Sequence, residues 1–505
     1  MKHKRVHINL LFLILLTFVG CASSKQQHIS LRVDNIAGEQ KLHSAIEAVL
    51  ADSILQHSNI GIKICRLRDN KILFEKDADK YFHPASTLKL YTSVAAMKFL
   101  GPVFRFQTRI AIDTSSAVSD TIRGNIYLIG GGDPSFTTSD LAEMIASLKQ
   151  HGVKHIAGDI VCDASFLDDR RLGTGWMWDD AGSWYGAPIS ALTINENCIQ
   201  VIANPAENSG EPARIQLSPN TNYVRIDNKS ITLDSLAYYK LLADTLQVFP
   251  RFKIERNWQN LENNIRVQGA IASWFAEETK VVDVDKPALY FGTLCKEIAE
   301  EKGISIAGQI VEGVCPDSVM VLTQHYSKPL NELLIEMNKP SHNLYAELLL
   351  KTVGAQTSQH QGTSARGIAA LKIVLASWDI DTTDVRIADG SGVSRYNLVT
   401  PAITLQLVKK IYNEFSMNHE IIASLPIAGI DGTLKDRMVE TPASGKVRAK
   451  TGTLSGVSAL AGYVKTADDD QVAFSMIMSH YLGSAKPYRN AQDQICNLLS
   501  RYGEK

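Results

Sequence analysis

Seven cysteines in 505 residues are too few for a disulfide framework, and their positions are too scattered for a zinc motif. Neither sign of charge is in excess. Lys plus Arg numbers 52 against 53 for Asp plus Glu, a net charge of -1, so no field recruits nucleic acid, and no basic stripe interleaves with aromatics. No apolar run reaches the about 20 residues that a membrane span needs. The stretch Ile8 to Val19 comes nearest, and after the basic Met1-Lys2-His3-Lys4-Arg5 it reads as a secretory signal. His-Glu-x-x-His is absent, and Gly390-Ser391-Gly392 is not a Gly-x-Ser-x-Gly elbow. Gly130-Gly131-Gly132 lacks the Gly-Lys-Ser/Thr of a phosphate loop and reads as a turn ending a strand. His151 and His155 have helical spacing, but Gly152 weakens that helix and no third ligand is near, so no metal and no cofactor is expected.

An apolar fraction of 45% and a charged fraction of 21% describe an ordinary globular protein, long enough for two or three domains. Phe18-Val19-Gly20-Cys21 resembles the box at which bacterial lipoproteins are cut and lipidated, with Phe18 in place of the usual leucine. Residues 1–21 are therefore read as a signal peptide, with Cys21 the lipid anchor, in place of a soluble export signal cut nearby. Export permits disulfides, and Cys295 with Cys315 is the pair to test first; the other cysteines read as small buried hydrophobes.

Glu39 to Leu50 has amphipathic helical spacing, and Ile60 to Cys65 and Ile72 to Glu75 alternate as a hairpin. The hairpin leads into His83-Pro84-Ala85-Ser86-Thr87-Leu88-Lys89, and the apolar residues up to Phe99 end at Gly101-Pro102. The spacing predicts a helix starting near Ser86 and apolar around most of its circumference, hence buried. Ser86 and Lys89 share a face of it. Burial penalises an ammonium, so Lys89 could stand neutral and accept the proton of Ser86, giving a nucleophile with its own base. A Ser-x-x-Lys match alone is close to what chance supplies.

From about residue 113 to 323 the text changes to short β-like runs and many turns, an insertion of about 200 residues, enough for one or two domains. It divides the first part of the main domain, 28–112, from the second, 324–505. In that second part Lys339-Pro340 breaks a helix, and Ser341-His342-Asn343 opens the next. Ser341 could relay a proton and Asn343 bind a carbonyl from that junction, where an N-cap serine beside a solvated asparagine is the plainer alternative. Val447 to Leu454 reads as a strand that projects Lys450 to one face, with Thr451 following, Gly452 admitting a ligand close to the backbone, and Thr453 adding a hydroxyl and an N–H.

Ser86-x-x-Lys89, Ser341-x-Asn343 and Lys450-Thr451-Gly452, in that order, resemble the three motifs of penicillin-binding proteins and serine β-lactamases. The interval from Ser86 to Ser341 is longer than a β-lactamase allows. With Gly130 to Pro134, Gly175 to Asp180, Tyr185 to Leu192, Asp389 to Arg395 and Ala428 to Leu434, the chain resembles the D-alanyl-D-alanine carboxypeptidase/endopeptidase family S13, the class C low-molecular-mass penicillin-binding proteins. The resemblance implies an α/β (α+β) transpeptidase-like core, an antiparallel sheet flanked by helices and interrupted by mainly β insertion domains. It implies acyl-enzyme formation on Ser86 with Lys89 as base, proton transfer through Ser341 and Lys450, an oxyanion hole from the N–H groups of Ser86 and Thr453, and substrate binding by Asn343, Thr451, Gly452 and Thr453. Asp180, Tyr185, Arg395 and Ser455 would border a side-chain pocket. His342 stands where the family carries Asp or Asn, and a histidine there could alter pH dependence.

The partners so implied are peptidoglycan peptides and β-lactam inhibitors, with the membrane reached only through the lipid anchor and no nucleic acid. The location implied is the periplasm of a Gram-negative bacterium. A β-lactamase or esterase of the same fold would need fast deacylation, for which this family typically lacks the dedicated glutamate. A non-catalytic wall-binding lipoprotein would have no need of Ser86, Lys89 and Lys450.

Overall fold

A five-stranded antiparallel sheet carries the main domain, in the order Val447–Leu454, Val457–Lys465, Gln471–Ser479, Asn59–Arg66, Ile72–Lys76. The computed structural model describes residues 35–503, except residue 115 and residues 117–119 and 244–250. Cys21, the signal peptide and the polar stretch after it lie outside the described residues.

Strand alternation sends the two faces of this sheet into separate cores. Ile60, Ile62, Ile64, Leu460, Phe474 and Met476 face one side, where the Glu39–Leu50 and Lys486–Arg501 helices lie. Leu42, Ile46 and Leu50, four residues apart, form the buried stripe of the first of these helices, and Tyr488, Ala491, Ile495 and Leu499 that of the second. Cys65, Ala459, Ala461, Ala473 and Ile477 face the other side, against the helical layer that holds the site. Gly61 admits that layer: a Cβ there would stand 2.4 Å from the Phe82 ring and 2.7 Å from Pro401.

The helical layer comprises Leu330–Asn338, Asn343–Ser358, Ser364–Ser377 and Pro401–Asn413, packed around Lys89–Phe99. Every residue from Lys89 to Met97 is buried, as the all-round apolar pattern predicts. Ser86 itself stands just before the α-helix, in a 3-10 turn, Ala85–Leu88.

The excursion between the two parts of the main domain starts and ends on paired strands. Gln107–Asp113 and Val319–Tyr326 run antiparallel, and three mutually parallel strands, Ile126–Ile129, Ile160–Asp163 and Ile310–Glu312, extend the same sheet. The helices Thr138–Gln150 and Pro287–Glu301 cover one face of it, and two further three-stranded sheets are built from residues 198–283. Gly130 and Gly131 end a strand by close packing: a Cβ would meet the Ala191 carbonyl at 2.3 Å and the Gln107 carbonyl at 2.2 Å. His151 caps a helix and His155 lies in a strand, so they share no helix face.

The Cys295–Cys315 pairing is not formed. Both thiols are free, and they occupy opposite faces of the sheet: Cys295 with Ile110, Leu128 and Cys162, Cys315 with Ala111, Tyr127 and Val161. Five of the six described cysteines are buried.

Lys351, fully buried on the Asn343–Ser358 helix, ties the excursion to the main domain by donating to Asp168 Oδ1 at 2.6 Å and to the Arg170 carbonyl at 2.7 Å. Truncating Ile62, at 0% exposure in the middle of the sheet, should cost about 2–5 kcal/mol in Ile62→Ala, read as a lower urea midpoint with unchanged slope.

Candidate active site

Three elements meet at Ser86: the turn that carries it, the junction before the Asn343–Ser358 helix, and the edge strand Val447–Leu454. The approach is close because glycines face the turn. A Cβ on Gly452 would lie 2.8 Å from the Pro84 carbonyl, and one on Gly392, at φ +88°, would lie 1.9 Å from the Ala85 carbonyl. Ala85 and Ser341, at φ 47° and 68°, hold left-handed backbone that a non-glycine residue adopts at a cost of about 1–3 kcal/mol, a strain that clusters at functional sites.

Lys89 is at 0% exposure. Its Nζ lies 2.9 Å from Ser86 Oγ, 2.7 Å from Asn343 Oδ1 and 2.7 Å from the Ser391 carbonyl. The two carbonyl oxygens can only accept, so they take two N–H groups; the third direction faces a hydroxyl, which can donate. A neutral amine has two N–H groups and one lone pair, and it fills this set when the Ser86 O–H donates to it. Burial pulls the Lys89 ammonium down to about 7, against the opposing pull of Asp389 and Glu347.

Lys450 is equally buried and donates to Ser341 Oγ at 2.8 Å and to the Thr451 carbonyl at 2.9 Å. Burial, and then the charge of Lys89, holds it well below the usual lysine range. Ser341 is not an N-cap. His342 takes that place, and Ser341 is left free to bond Lys450. Asn343 bridges two segments, accepting from Lys89 and donating from Nδ2 to the Tyr185 carbonyl at 2.9 Å.

The edge strand exposes its own backbone. Leu454 and Val457 flank the two-residue turn Ser455-Gly456 and exchange hydrogen bonds, so Thr453, opposite Ser458, is in a non-bonded pair and its N–H points off the free edge. Thr451 has the same parity, which is why its carbonyl reaches Lys450. The Thr451 hydroxyl pairs with that of Thr433 at 2.6 Å, and the Thr453 hydroxyl accepts from Arg489 at 3.1 Å.

The excursion supplies one wall. Trp176 Nε1 donates to the buried Asp389 at 2.9 Å, and Gly175 packs against Ser394 and Tyr396. Asp180 follows, half-buried, accepting the Met177 N–H at 3.0 Å; burial raises its carboxyl above the usual range, and Arg395 opposes that rise. Arg395 donates to the Ser455 carbonyl at 2.8 Å. Tyr185 contributes its carbonyl and leaves its ring exposed. Glu196 Oε2 stands 2.8 Å from Nε2 of the buried His342, which packs on Trp184 and Tyr345; burial pushes the Glu196 carboxyl up, but His342 outweighs it and holds the group below its ordinary value.

All the residues expected in the cleft from the three motifs converge. Sequence reasoning gave no role to the Ser391 carbonyl, Glu347, Asp389, Trp176, Glu196 or Arg489; the Asp389 to Arg395 stretch held Asp389 and Ser391, the Gly175 to Asp180 stretch held Trp176, and no signal marked the rest.

A serine beside a buried lysine, a second serine–lysine pair and a free strand edge define a serine acyl-transfer enzyme of the penicillin-recognising kind. The chain belongs to the D-Ala-D-Ala carboxypeptidase 3 (S13) family, whose profile matches residues 42–502. It is an enzyme of the serine D-alanyl-D-alanine carboxypeptidase class, as the motifs imply. The D-alanyl-D-alanine carboxypeptidase of Actinomadura sp. (strain R39) is 32% identical over 476 residues, 92% of this chain and 85% of that protein. D-alanyl-D-alanine carboxypeptidase DacB of Haemophilus influenzae is 29% identical over 434 residues, covering 86% and 88%. The crystal structure of penicillin binding protein 4 (dacB) from Haemophilus influenzae superposes with a TM-score of 0.79 at 27% identity, covering 90% of this chain and 99% of that one.

Gly392→Ala should slow acylation by a penicillin at least tenfold, because the new methyl displaces the Ser86 turn. Ser391→Ala should stay within about twofold of the parent, since Lys89 uses the Ser391 carbonyl and not its hydroxyl; a fluorescent penicillin measures both.

Proposed function

We propose that the protein cleaves the terminal D-alanyl-D-alanine bond of peptidoglycan stem peptides through an acyl-enzyme on Ser86. The observation that carries this reading is Lys89 Nζ, buried and lowered to about 7, at 2.9 Å from the Ser86 hydroxyl. The Ser86 proton passes to Lys89 as Oγ attacks the carbonyl of the penultimate D-alanine, and a C–O bond forms. The N–H groups of Ser86 and Thr453 stabilise the oxyanion, consistent with the outward parity of Thr453. The C–N bond then breaks, and the departing amine takes the proton that Lys89 received, passed on through Ser341 and backed by Lys450. Water later attacks the ester, releases the peptide and returns a proton to Ser86.

Lys450, Thr451 and Thr453 hold the terminal carboxylate, with Gly452 letting it lie close to the strand, and Arg489 adds positive charge at Thr453. Asn343 binds the substrate amide. Asp180, Tyr185, Arg395 and Ser455 border the pocket for the peptide side chain, where Asp180 would meet the amino group of a diaminopimelate residue. The same steps with a cross-link as substrate give endopeptidase activity; only the leaving amine differs. Cell-wall chemistry requires export, and residues 1–21, with Cys21 as lipid anchor, would supply it and tether the chain in the periplasm. The structure of the Haemophilus influenzae penicillin binding protein 4 complexed with a β-lactam, similar at a TM-score of 0.74 and 26% identity, supports β-lactams as ligands.

Incubating the purified protein with a fluorescent penicillin, followed by intact mass and a peptide map, should give a stable adduct on Ser86 that Ser86→Ala abolishes. Rapid turnover of the drug would indicate a β-lactamase instead, and neither adduct nor turnover a binding protein. The acylation rate should rise with pH through about 7, because the amine accepts the proton only when neutral and burial has lowered its ionisation to that range. Asp180→Asn should raise KM at least fivefold for a stem peptide with a free side-chain amine, and leave penicillin acylation unchanged.

A further inference from the structure

Glu347 is a buried carboxylate that the acylation steps leave unused. It lies one helical turn beyond Asn343, at 0% exposure. Its Oε1 accepts the N–H groups of Gly390 at 2.9 Å and Ser391 at 2.8 Å, and the Ser391 carbonyl in turn accepts an N–H of Lys89 at 2.7 Å. No hydrogen bond of good geometry reaches its Oε2, although the Ser391 hydroxyl lies near enough to favour the charged form. An interior carboxylate left half-satisfied is costly, which asks for a reason beyond packing.

The charged groups facing it are Asp389 and Lys89, with Lys450 beyond Lys89. Asp389 is saturated by donors: the N–H groups of Gly392 and Ser394, Trp176 Nε1 and Asn397 Nδ2. Glu347 is the less satisfied of the two carboxylates. Burial, and then the charge of Asp389, lifts its carboxyl above the ordinary range, against the Ser391 hydroxyl and the two N–H donors.

We infer that Glu347 is a positioning residue for Lys89: it fixes the Ser391 peptide so that its carbonyl aims the amine at Ser86, and its charge sets the pH at which that amine loses its proton. The inference rests on Lys89 acting as the base. Glu347→Gln tests it, because the amide keeps an oxygen for both N–H groups, keeps the size of the side chain and removes the charge.

Acylation by a fluorescent penicillin is measured against pH for the parent, Glu347→Gln and Lys89→Met, with a thermal melt of each. Glu347→Gln should stay folded and acylate, with the rising limb of its profile moved to lower pH by about one unit, since the ammonium has lost a favourable charge. A profile superimposable on the parent's overturns the inference. Lys89→Met acylating at the parent rate would instead overturn the base assignment, so the two failures are distinct. Should Glu347→Gln not fold, infrared difference spectra of the parent decide: a buried carboxyl already ionised where acylation begins to rise supports the inference, and one that keeps its proton throughout the rise overturns it.

Discussion

The structure turns on a lysine held out of water. Taking an ammonium to 0% exposure costs several kcal/mol unless partners offset it, and at Lys89 the offset is incomplete by construction. Two carbonyl oxygens and a hydroxyl surround the amine, while the carboxylates of Glu347 and Asp389 lie one layer further out and bond other groups than the amine. That arrangement favours the charged form enough to keep the side chain inside and too little to keep it charged. The enclosing helices are therefore part of the chemistry: without the apolar packing of Leu90, Tyr91, Val94 and Met97 around the helix, Lys89 would be an ordinary surface amine.

The same constraint explains why the excursion is built into the site and not hung from it. The Tyr185 carbonyl fixes the Asn343 amide, which fixes the Lys89 amine. Trp176 completes the donor set of Asp389, and Glu196 sits against His342 between Ser341 and Asn343. Three separate segments of the excursion thus bear on Asn343, Asp389 and His342. Lys351 closes the connection from the other direction.

What was legible in the sequence was what periodicity and motif order encode. The all-round apolar pattern after Ser86 gave a buried helix, alternation gave the strands, and three spaced motifs gave the site. Backbone partners were not legible, because the Ser391 and Tyr185 carbonyls leave no trace in residue identity. Glu347 reads as an ordinary helical glutamate until the loop at Asp389 is folded over it. Cys295 and Cys315 are near in sequence, but a sheet lies between them, and sequence distance carries no information about that. Ser341 taken alone looked more like a helix cap, but its backbone is left-handed, His342 is the cap, and its hydroxyl meets Lys450.

The most direct test of the central claim is to titrate Lys89 itself, following its side-chain resonance by NMR in the unliganded enzyme and assigning it by its loss in Lys89→Met. A midpoint near 7 is the result the structure predicts. A midpoint near 10.5, the value of an unperturbed lysine, would mean that the amine stays charged beside Ser86 and that another group must take the proton.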